Sequence, residues 1–383
     1  MITISRIQCI LLLVIPIVSL YGVFIMITTP YTTGLTTLSF VDNTRIFDNQ
    51  PRTLHVFVWY PVKTGTATQT IDYDIWKIKN AAKEASPLLG KKKLPLILFS
   101  HGYSGHPYAN SWFAEYLASK GYIVASVQHY GNSFPESMIP EISARPWNRP
   151  KDMSFVLDKL LEHPLFKDCI DKDRIGAAGF SQGGIAALWL AGMKAHLTKD
   201  MLKEQITFIN DPFLRNKHFK ELTTKRLDAD LPNFSQEDFD QANQSYKDSR
   251  IKAVFALAPG IDEKNPMFLK EGLSLVNIPV CIVVGEGDDV ATAQFFAQHI
   301  PDTSNYFGTL TVIPGKVTHW TLLNEPTEQG KTINPFITTD DPSIDRAQVH
   351  RDIGSMALQF FDEFFYYGWN KKDLSQKNSG KNR

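Results

Sequence analysis

One apolar stretch, Arg174 to Leu190, constrains the fold more than any other part of the chain. It predicts a short buried strand, Ile175 to Ala178, and an apolar helix from about Gln182 to Met193, joined by the turn G-F-S-Q-G at Gly179 to Gly183. A chain that passes from strand to helix through one residue holds that residue in a strained conformation, and the flanking glycines leave room for close contact. The pattern therefore predicts that the hydroxyl of Ser181 stands above a sheet edge.

Two interpretations of this turn are possible. A G-x-S-x-G motif is short, so it can be an ordinary glycine-rich connection in which the serine is incidental. The apolar strand before it and the apolar helix after it are the context that a serine nucleophile requires. The free N–H groups and the positive dipole end of that helix would also suit a developing oxyanion. The context favours the nucleophile.

Composition limits the function classes. With 383 residues the chain can form one large α/β domain or two small ones. Lys+Arg and Asp+Glu are both 40, so the net charge gives no electrostatic argument for a nucleic-acid partner. Cys9, Cys169 and Cys281 have neither the spacing of metal ligands nor that of a disulfide framework. We expect no metal, no cofactor and no disulfide.

The N-terminus carries a nearly continuous apolar run, Ile7 to Ile27, preceded by the single charge of Arg6. About 20 apolar residues span a bilayer, so an uncleaved anchor and a signal peptide are equal alternatives, and a buried core helix is a third. The charge before the run places the remainder outside the cytoplasm in either of the first two cases. We therefore expect a signal or membrane anchor at 1–30 and an extracytoplasmic protein, anchored or secreted.

The rest of the chain alternates strands with helices, which predicts a doubly wound, mostly parallel sheet covered on both faces. An N-terminal hairpin is expected within Thr33 to Pro61, and an irregular segment with a short helix near Tyr73 to Ala82 follows it. A charged segment at about 196–250 interrupts the alternation and predicts a helical cap. The domain is expected to cover 31–370, followed by a disordered tail at 371–383. Apolar runs and helical spacing predict the remaining elements: strands at Leu94–Ser100, Gly121–Val127, Ile251–Gly260, Val280–Asp289 and Thr309–Ile313, and helices at Ala109–Lys120, Arg149–Glu162 and Arg351–Tyr367.

A serine nucleophile needs a base and an orienting acid, which in a doubly wound sheet follow it in the order serine, acid, histidine. The segment G-E-G-D-D, which follows Val280 to Val284, offers Asp288 and Asp289, with Glu286 as a weaker third candidate. Asp288 is favoured because it comes first after the strand. The loop after the strand Thr309–Ile313 offers His319 as the base. Two other downstream histidines, His299 and His350, are interpreted as helical or capping residues.

The oxyanion hole needs two N–H donors about 3 Å from the developing charge. One is expected to be the backbone of Gln182, the residue after the nucleophile. The other is expected in the loop S-H-G-Y-S-G at Ser100 to Gly105, where Tyr103 is the favoured donor through its backbone. His101 is then interpreted as a structural residue that holds this loop by hydrogen bonds.

Taken together, these residues resemble the α/β-hydrolase fold, and more narrowly the platelet-activating-factor acetylhydrolase group and its bacterial dienelactone-hydrolase-like relatives. The resemblance covers roughly Thr36 to Phe365. Two departures are an elbow with Phe180 and Gln182 in place of the more usual His and Phe, and Tyr130-Gly131 where those acetylhydrolases carry Arg-Asp. The shared segments are V-W-Y-P at 58–61, F-S-H-G at 99–102, G-Y-I-V-A-S-V-Q-H at 121–129, R-I-G-A-A-G-F-S-Q-G-G from Arg174, R-I-K-A-V-F-A-L-A-P at 250–259, and V-T-H-W around His319.

The resemblance implies that Ser181, Asp288 and His319 form a catalytic triad, with Tyr103 and Gln182 as oxyanion donors. It also implies metal-free hydrolysis of short-chain or oxidised acyl esters, phospholipids of the platelet-activating-factor type included. The Phe180 and Trp189 region, together with the excursion at His196 to Arg250, would then shape an apolar pocket for the acyl chain. The alternatives are a generic carboxylesterase or polyester hydrolase, a serine peptidase and, from another class, an inactive binding module.

Overall fold

The computed structural model describes residues 30–88, 90, 92–134, 137–198, 234–261, 270–299 and 308–367. All elements given below belong to the unit Tyr31–Arg383. The predicted anchor or signal run, Ile7 to Ile27, the predicted tail at 371–383 and most of the predicted cap lie outside the described residues. Within the described ranges, no helix combines the length and the apolar character needed to cross a membrane.

A mixed sheet forms the centre of this unit, and ten strands of the described chain belong to it in the order β12-β11-β10-β9-β5-β6-β2-β1-β4-β3. The six strands from β12 to β6 run parallel, whereas β2 pairs antiparallel with β6 and with β1. Within the residues that the structure describes, the short strands β7 and β8 form a separate two-stranded sheet. The strands are β1 (Thr32–Phe47), β2 (Gln50–Val62), β3 (Gln69–Tyr73), β4 (Trp76–Lys83), β5 (Leu94–Ser100), β6 (Ile123–Gln128), β7 (Asn132–Ser133), β8 (Ser137–Met138), β9 (Ile170–Phe180), β10 (Ile251–Leu257), β11 (Val280–Gly285) and β12 (Gly308–Ile313).

Helices connect the parallel strands. The two longest in the described chain are α3, which precedes β9, and α10, which closes the domain. The helices are α1 (Ser111–Ser119), α2 (Pro140–Ser143), α3 (Asn148–Glu162), α4 (Gln182–Leu190), α5 (Gln236–Asn243), α6 (Lys270–Leu273), α7 (Ala293–His299), α8 (Glu328–Ile333), α9 (Pro335–Thr338) and α10 (Arg346–Tyr366), with 3-10 turns at Pro107–Asn110 and Trp320–Leu322.

The core follows from the apolar runs. Every residue of β6 and β11 is buried, as expected for parallel strands covered on both faces. Helix α10 packs closely because Gly176 has no side chain: a Cβ there would lie 2.7 Å from the ring of Phe361. The predicted parallel sheet, the N-terminal hairpin and the closing helix are therefore confirmed. The insertion at 196–250 contributes α5 among its described residues.

The segment between β2 and β5 corrects one prediction. A short helix was expected near Tyr73 to Ala82, but this stretch forms the end of β3, a turn and β4. Asp74 takes a left-handed φ of 51°, which lets the chain reverse within two residues so that Tyr73 pairs with Trp76. The side chains of Trp76 and Ile78 are buried with the period of two typical of a strand. Pairing of β4 with β1 outweighs the polar composition of the segment.

Candidate active site

The turn between β9 and α4 has the sharp geometry that the sequence predicts. Ser181 has φ 53° and ψ −119°, a conformation that residues with a side chain rarely adopt. Close backbone contacts require glycine at the positions two residues before and two residues after Ser181. A Cβ on Gly179 would lie 2.2 Å from the carbonyl oxygen of Gly183, and a Cβ on Gly183 would lie 1.9 Å from the carbonyl oxygen of Ser100. Helix α4 can therefore sit against both its own strand and the end of β5 only with glycine at these positions.

The side chain of Ser181 is half-buried, and Gly102 and Gly260 lie beside it. Its hydroxyl does not cap α4. Its backbone N–H donates to the carbonyl of Leu257 at 2.9 Å, which ties the elbow to the end of β10. Cβ atoms built on two neighbouring glycines would lie close to Ser181: that of Gly260 would be 3.4 Å from Oγ, and that of Gly102 would be 3.6 Å from Cβ. Both neighbouring loops thus leave room beside the hydroxyl.

A buried acid–base pair lies at the same edge of the sheet. Nδ1 of His319 and Oδ2 of Asp288 are 2.9 Å apart, and both side chains are almost fully buried. The second carboxylate oxygen accepts the backbone N–H groups of Val290 at 2.9 Å and Ala291 at 2.7 Å. A carboxylate held by three donors in this way stays oriented toward the imidazole.

Glycines bring the acid loop and the histidine loop together. The N–H of Gly287 donates to the carbonyl of Val317 at 3.0 Å, and a Cβ on Gly285 would approach that same oxygen to 2.1 Å. Parallel pairing of β11 with β12 puts both loops at the carboxyl edge of the sheet, where β11 and β12 lie two and three strands from β9. The ring of His319 lies 4.6 Å from that of Phe180, the residue before Ser181.

The alternative acids and histidines lie elsewhere. Asp289 is exposed, and Glu286 is an exposed residue whose carboxylate accepts the N–H of Gly315 at 2.6 Å. His350 is buried, stacks on Trp112 at 4.2 Å, and bonds the carbonyl of Thr321 at 2.9 Å. It buttresses the 3-10 turn that follows His319. The side chain of His299 lies outside what the structure describes.

Of the expected acyl pocket, most of the excursion at His196 to Arg250 lies outside the described residues, and the side chains of Phe180 and Trp189 are buried. Trp189 is fully buried and meets the ring of Tyr246 edge-on at 6.0 Å. Phe180 is also buried: its ring lies 4.6 Å from that of His319, and a Cβ on Gly102 would lie 3.1 Å from it. Both residues are therefore packing residues. Both side chains pack in the core, because the end of β9 and nearly all of α4 are buried.

The loop after β5 is held by His101, as predicted. A carbonyl oxygen can only accept, so Nδ1 of His101 must carry the proton that it shares with the carbonyl of Gly102 at 2.8 Å. Nε2 then accepts the backbone N–H of His129 at 3.3 Å. Burial and the positive charge of Arg149 hold the pKa of His101 well below its ordinary value. The side chain is thus a neutral brace and has no free nitrogen for proton transfer.

The side chain of Asn132 connects the segments that carry the two predicted oxyanion donors, the loop with Tyr103 and the start of α4 with Gln182. Asn132 is buried, accepts the N–H of Ser104 at 2.8 Å through Oδ1, and donates to Oε1 of Gln182 at 3.2 Å. It therefore joins the Tyr103 loop to the start of α4. Tyr103 and Gln182 are themselves half-buried. No sequence signal indicated Asn132, because the contact depends on where β6 ends in space.

A second buried polar group, which the sequence analysis missed, lies behind the same loop. The imidazole of His129 lies between Oγ of Ser100 at 2.8 Å and Oδ2 of Asp152 at 2.9 Å. Arg52 pairs with the other oxygen of Asp152 at 3.0 Å, and Nη1 of Arg149 donates to Oγ of Ser100 at 3.2 Å. These residues are all buried, so the group is a packed network.

The charges in this network are set by burial and by each other. Burial and the positive charge of Arg149 lower the pKa of His129 to about 4. Burial alone would raise the pKa of Asp152, but Arg52 and Arg45 outweigh it and hold that pKa below its ordinary value. At neutral pH the network therefore contains a neutral His129, an ionised Asp152 and cationic arginines.

Comparison with known proteins supports the fold and the family resemblance. Residues 63–145 match the family Platelet-activating factor acetylhydrolase, isoform II. The chain is 29% identical to the platelet-activating factor acetylhydrolase of Canis lupus familiaris, over 27% of this chain and 33% of that protein. It is 27% identical to the Bacillus subtilis (strain 168) protein named "Putative esterase YitV", over 37% of this chain and 55% of that protein. The chain thus spans about half, or less, of the relatives it matches.

A solved structure extends the similarity to nearly the whole chain. The ferulic acid esterase from Streptomyces cinnamoneus superposes with a TM-score of 0.57 at 19% identity, covering 90% of this chain and 92% of the other. At this identity the superposition identifies the fold. The chain is therefore an α/β-hydrolase-fold protein, and the resemblance of its sequence to the platelet-activating-factor acetylhydrolase family is confirmed.

Proposed function

We propose that this chain is a serine carboxylic-ester hydrolase in which Ser181, Asp288 and His319 form the catalytic triad. The observation that carries the proposal is the buried contact of 2.9 Å between His319 and Asp288 beside the strained serine turn. An ionised carboxylate can only accept, so Nδ1 of His319 carries a proton and Nε2 is left as the base. A serine hydroxyl needs such a base to become a nucleophile at neutral pH.

The reaction would run in two halves. Oγ of Ser181 attacks the ester carbonyl carbon while Nε2 of His319 takes the hydroxyl proton and then gives it to the departing alcohol oxygen. Water next attacks the acyl-serine, His319 takes its proton, and the serine oxygen leaves with that proton as the carboxylic acid is released. Backbone N–H groups of Gln182 and Tyr103 are proposed to hold the oxyanion in both halves.

Covalent labelling tests the nucleophile directly. A fluorophosphonate probe should modify the wild-type chain, and peptide mapping should place the adduct on Ser181. Ser181→Ala should lose labelling and turnover of p-nitrophenyl acetate, while keeping the wild-type circular dichroism spectrum. Labelling at another serine, or unchanged turnover in Ser181→Ala, would exclude this mechanism.

For the substrate, we propose short-chain or oxidised acyl esters, with phospholipids of the platelet-activating-factor type as the preferred class. The match of residues 63–145 and the similarity to the dog acetylhydrolase support this class. The names of the bacterial relative and of the esterase of similar fold support a generic carboxylesterase or polyester hydrolase as the alternative. Turnover of 2-acetyl and 2-palmitoyl phosphocholine lipids, compared with matched p-nitrophenyl esters and a polyester film, separates the two.

We also propose that the protein acts outside the cytoplasm, anchored or secreted, and in the periplasm if the source is bacterial. The apolar run Ile7 to Ile27 after Arg6 supports this location. Expression of the full chain with a C-terminal epitope, followed by fractionation and protease treatment of intact cells, tests it. A protein recovered only from the cytoplasmic fraction would contradict the proposal.

A further inference from the structure

Arg149, at the start of α3, is a buried cation beside the loop that carries a proposed oxyanion donor. Its side chain is 2% exposed. Nη2 donates to the carbonyl oxygen of Gly102 at 2.9 Å, and Nη1 donates to the carbonyl oxygen of His101. A planar guanidinium presents its N–H groups in a fixed fork, so it can hold two neighbouring carbonyls in one orientation.

The Gly102 carbonyl is held from three directions. Besides Arg149, it accepts Nδ1–H of His101 at 2.8 Å and the N–H of Gly105 at 3.1 Å. A peptide unit is planar and trans, so its C=O and the following N–H point in opposite directions. An oxygen fixed on the Arg149 side therefore fixes the N–H of Tyr103 on the other side.

The proposed mechanism requires the ester oxygen to bind on that other side. A Cβ built on Gly102 would lie 3.1 Å from the ring of Phe180 and 3.6 Å from Cβ of Ser181, so the loop passes directly over the serine turn. The same constraint acts one residue earlier, because the oxygen of His101 is held by Arg149 and lies next to Gly183 of α4. One guanidinium thus contacts two successive peptide units beside Ser181, and at Gly102 it acts together with His101 and Gly105.

Arg149 is in turn held by the polar network behind it. Its Nη1 also donates to Oγ of Ser100, whose hydroxyl proton is then directed at Nε2 of His129, and His129 donates from Nδ1 to Asp152. These members of the network are buried at the end of β5, directly after β6 and on α3. An arrangement of this kind fixes a loop without touching substrate.

We propose that Arg149 is a positioning residue for the oxyanion hole, acting through the carbonyls of His101 and Gly102 to aim the N–H of Tyr103 at the ester oxygen. This inference rests on the proposed hydrolase function. It predicts an effect on the transition state and little effect on substrate binding, because the oxyanion exists only in the transition state.

The test compares Arg149→Lys with Arg174→Lys. Lysine keeps the charge but lacks the fork that reaches both carbonyls. Arg174 also pairs with an acid, Asp171, and donates to a backbone carbonyl, that of Lys93, but it lies near the beginning of β9, at the opposite edge of the sheet. Arg149→Gln serves as a second variant, since it removes the buried charge and keeps one amide donor.

The measurements are kcat and KM for p-nitrophenyl acetate and the inhibition constant of a boronic acid, whose tetrahedral adduct occupies the oxyanion hole. Loss of one oxyanion donor costs about 10²–10³ in kcat, so a loosened donor should cost about 10–100-fold. We expect that loss in both Arg149 variants, with boronate affinity weakened in parallel, KM nearly unchanged and Arg174→Lys close to wild type.

Three outcomes would overturn the inference, and they can be told apart. An active wild type whose Arg149 variants lose thermal stability but keep kcat and boronate affinity would show a purely structural role. A rise in KM with unchanged kcat would also exclude oxyanion positioning. A wild type that is neither labelled at Ser181 nor active on any ester would overturn the proposed function, and this inference with it.

Discussion

Nδ1 of His319 lies 2.9 Å from Oδ2 of Asp288, and the exposed carboxylate of Asp289 is the next residue along the chain. The difference between these neighbours follows from the turn after β11. The carboxylate of Asp288 accepts hydrogen bonds from the N–H groups of Val290 and Ala291, which hold this side chain toward the protein interior. One position therefore has the geometry of an orienting acid, and the other has that of a solvated surface residue.

This difference predicts the effect of two matched substitutions. Asp288→Asn should lower kcat for p-nitrophenyl acetate by on the order of 10³–10⁴, because an amide no longer selects the tautomer with a free Nε2. Asp289→Asn should leave kcat close to wild type. Steady-state kinetics of the two purified variants check this, and an equal loss in both would contradict the assignment of Asp288.

Backbone strain at the serine turn predicts an order of stabilities. Ser181→Ala and Ser181→Gly both remove the hydroxyl, so both should be inactive. Only alanine keeps a Cβ at φ 53°, where such strain costs about 1–3 kcal/mol, partly offset by the entropy of glycine in the unfolded chain. Ser181→Gly should be the more stable by about 1 kcal/mol in urea denaturation. A less stable glycine variant would show that the conformation is not strained.

Buried neutral histidines predict acid sensitivity. Burial lowers the pKa of His106 to about 3 and that of His350 to about 3, and burial with Arg149 lowers that of His129 to about 4. In the unfolded chain these three histidines bind protons near pH 6.5, whereas in the folded chain they stay neutral until about pH 3–4. Their contribution to the free energy of unfolding is therefore complete above pH 6.5 and is lost as the pH falls toward 4. Each contributes a slope of up to about 1.4 kcal/mol per pH unit.

Urea denaturation at pH 7.5, 6.0 and 5.0 measures this slope. His106→Asn is the informative variant, because an amide oxygen can replace Nδ1 as the acceptor of the N–H of Tyr108. It should begin less stable, since the ring stacked on Tyr73 is lost, yet its stability should fall less steeply with acid. A wild-type midpoint that does not change between pH 7.5 and 5.0 would contradict the prediction.

The acid at the centre of the polar network predicts a large loss of stability. Asp152 is buried and faces Arg52, Arg45 and His129. Asp152→Asn would leave buried guanidinium groups without their counter-charge, which typically costs about 3–5 kcal/mol. Asp171→Asn, in a partly exposed pair with Arg174, should cost less than about 1 kcal/mol. Chemical denaturation compares the two, and similar losses would exclude a special role for the buried network.

The sequence was sufficient to predict the elements that place the proposed triad. Apolar runs predict the parallel strands, and the order of a doubly wound sheet puts the Asp288 and His319 loops after Ser181 at one edge. Asp288 lies in the loop after β11, separated from the strand by Glu286 and Gly287, and it is the first of the two aspartates there. These signals are local, which is why they can be read from one chain.

The supporting contacts could not be predicted in the same way. Arg149 meets Gly102 across 47 positions of sequence, and Asn132 meets Gln182 across 50, so their pairing depends on the folded sheet. One signal was present: Arg149 precedes Met153, Val156 and Leu160 on the buried face of α3. A charge in register with an apolar stripe indicates a buried partner, although it does not identify which one.

The histidine side of the site is built differently from the loop above Ser181. Trp320 follows His319 and packs on Phe336, whose ring centroid is 5.4 Å away and whose side chain is 45% exposed. Glycine contacts and the Arg149 guanidinium hold the loop above Ser181 in place, whereas this aromatic pair is partly exposed to solvent. Substitutions at these two rings are therefore expected to change the surface beside His319 while the buried contact between His319 and Asp288 is kept.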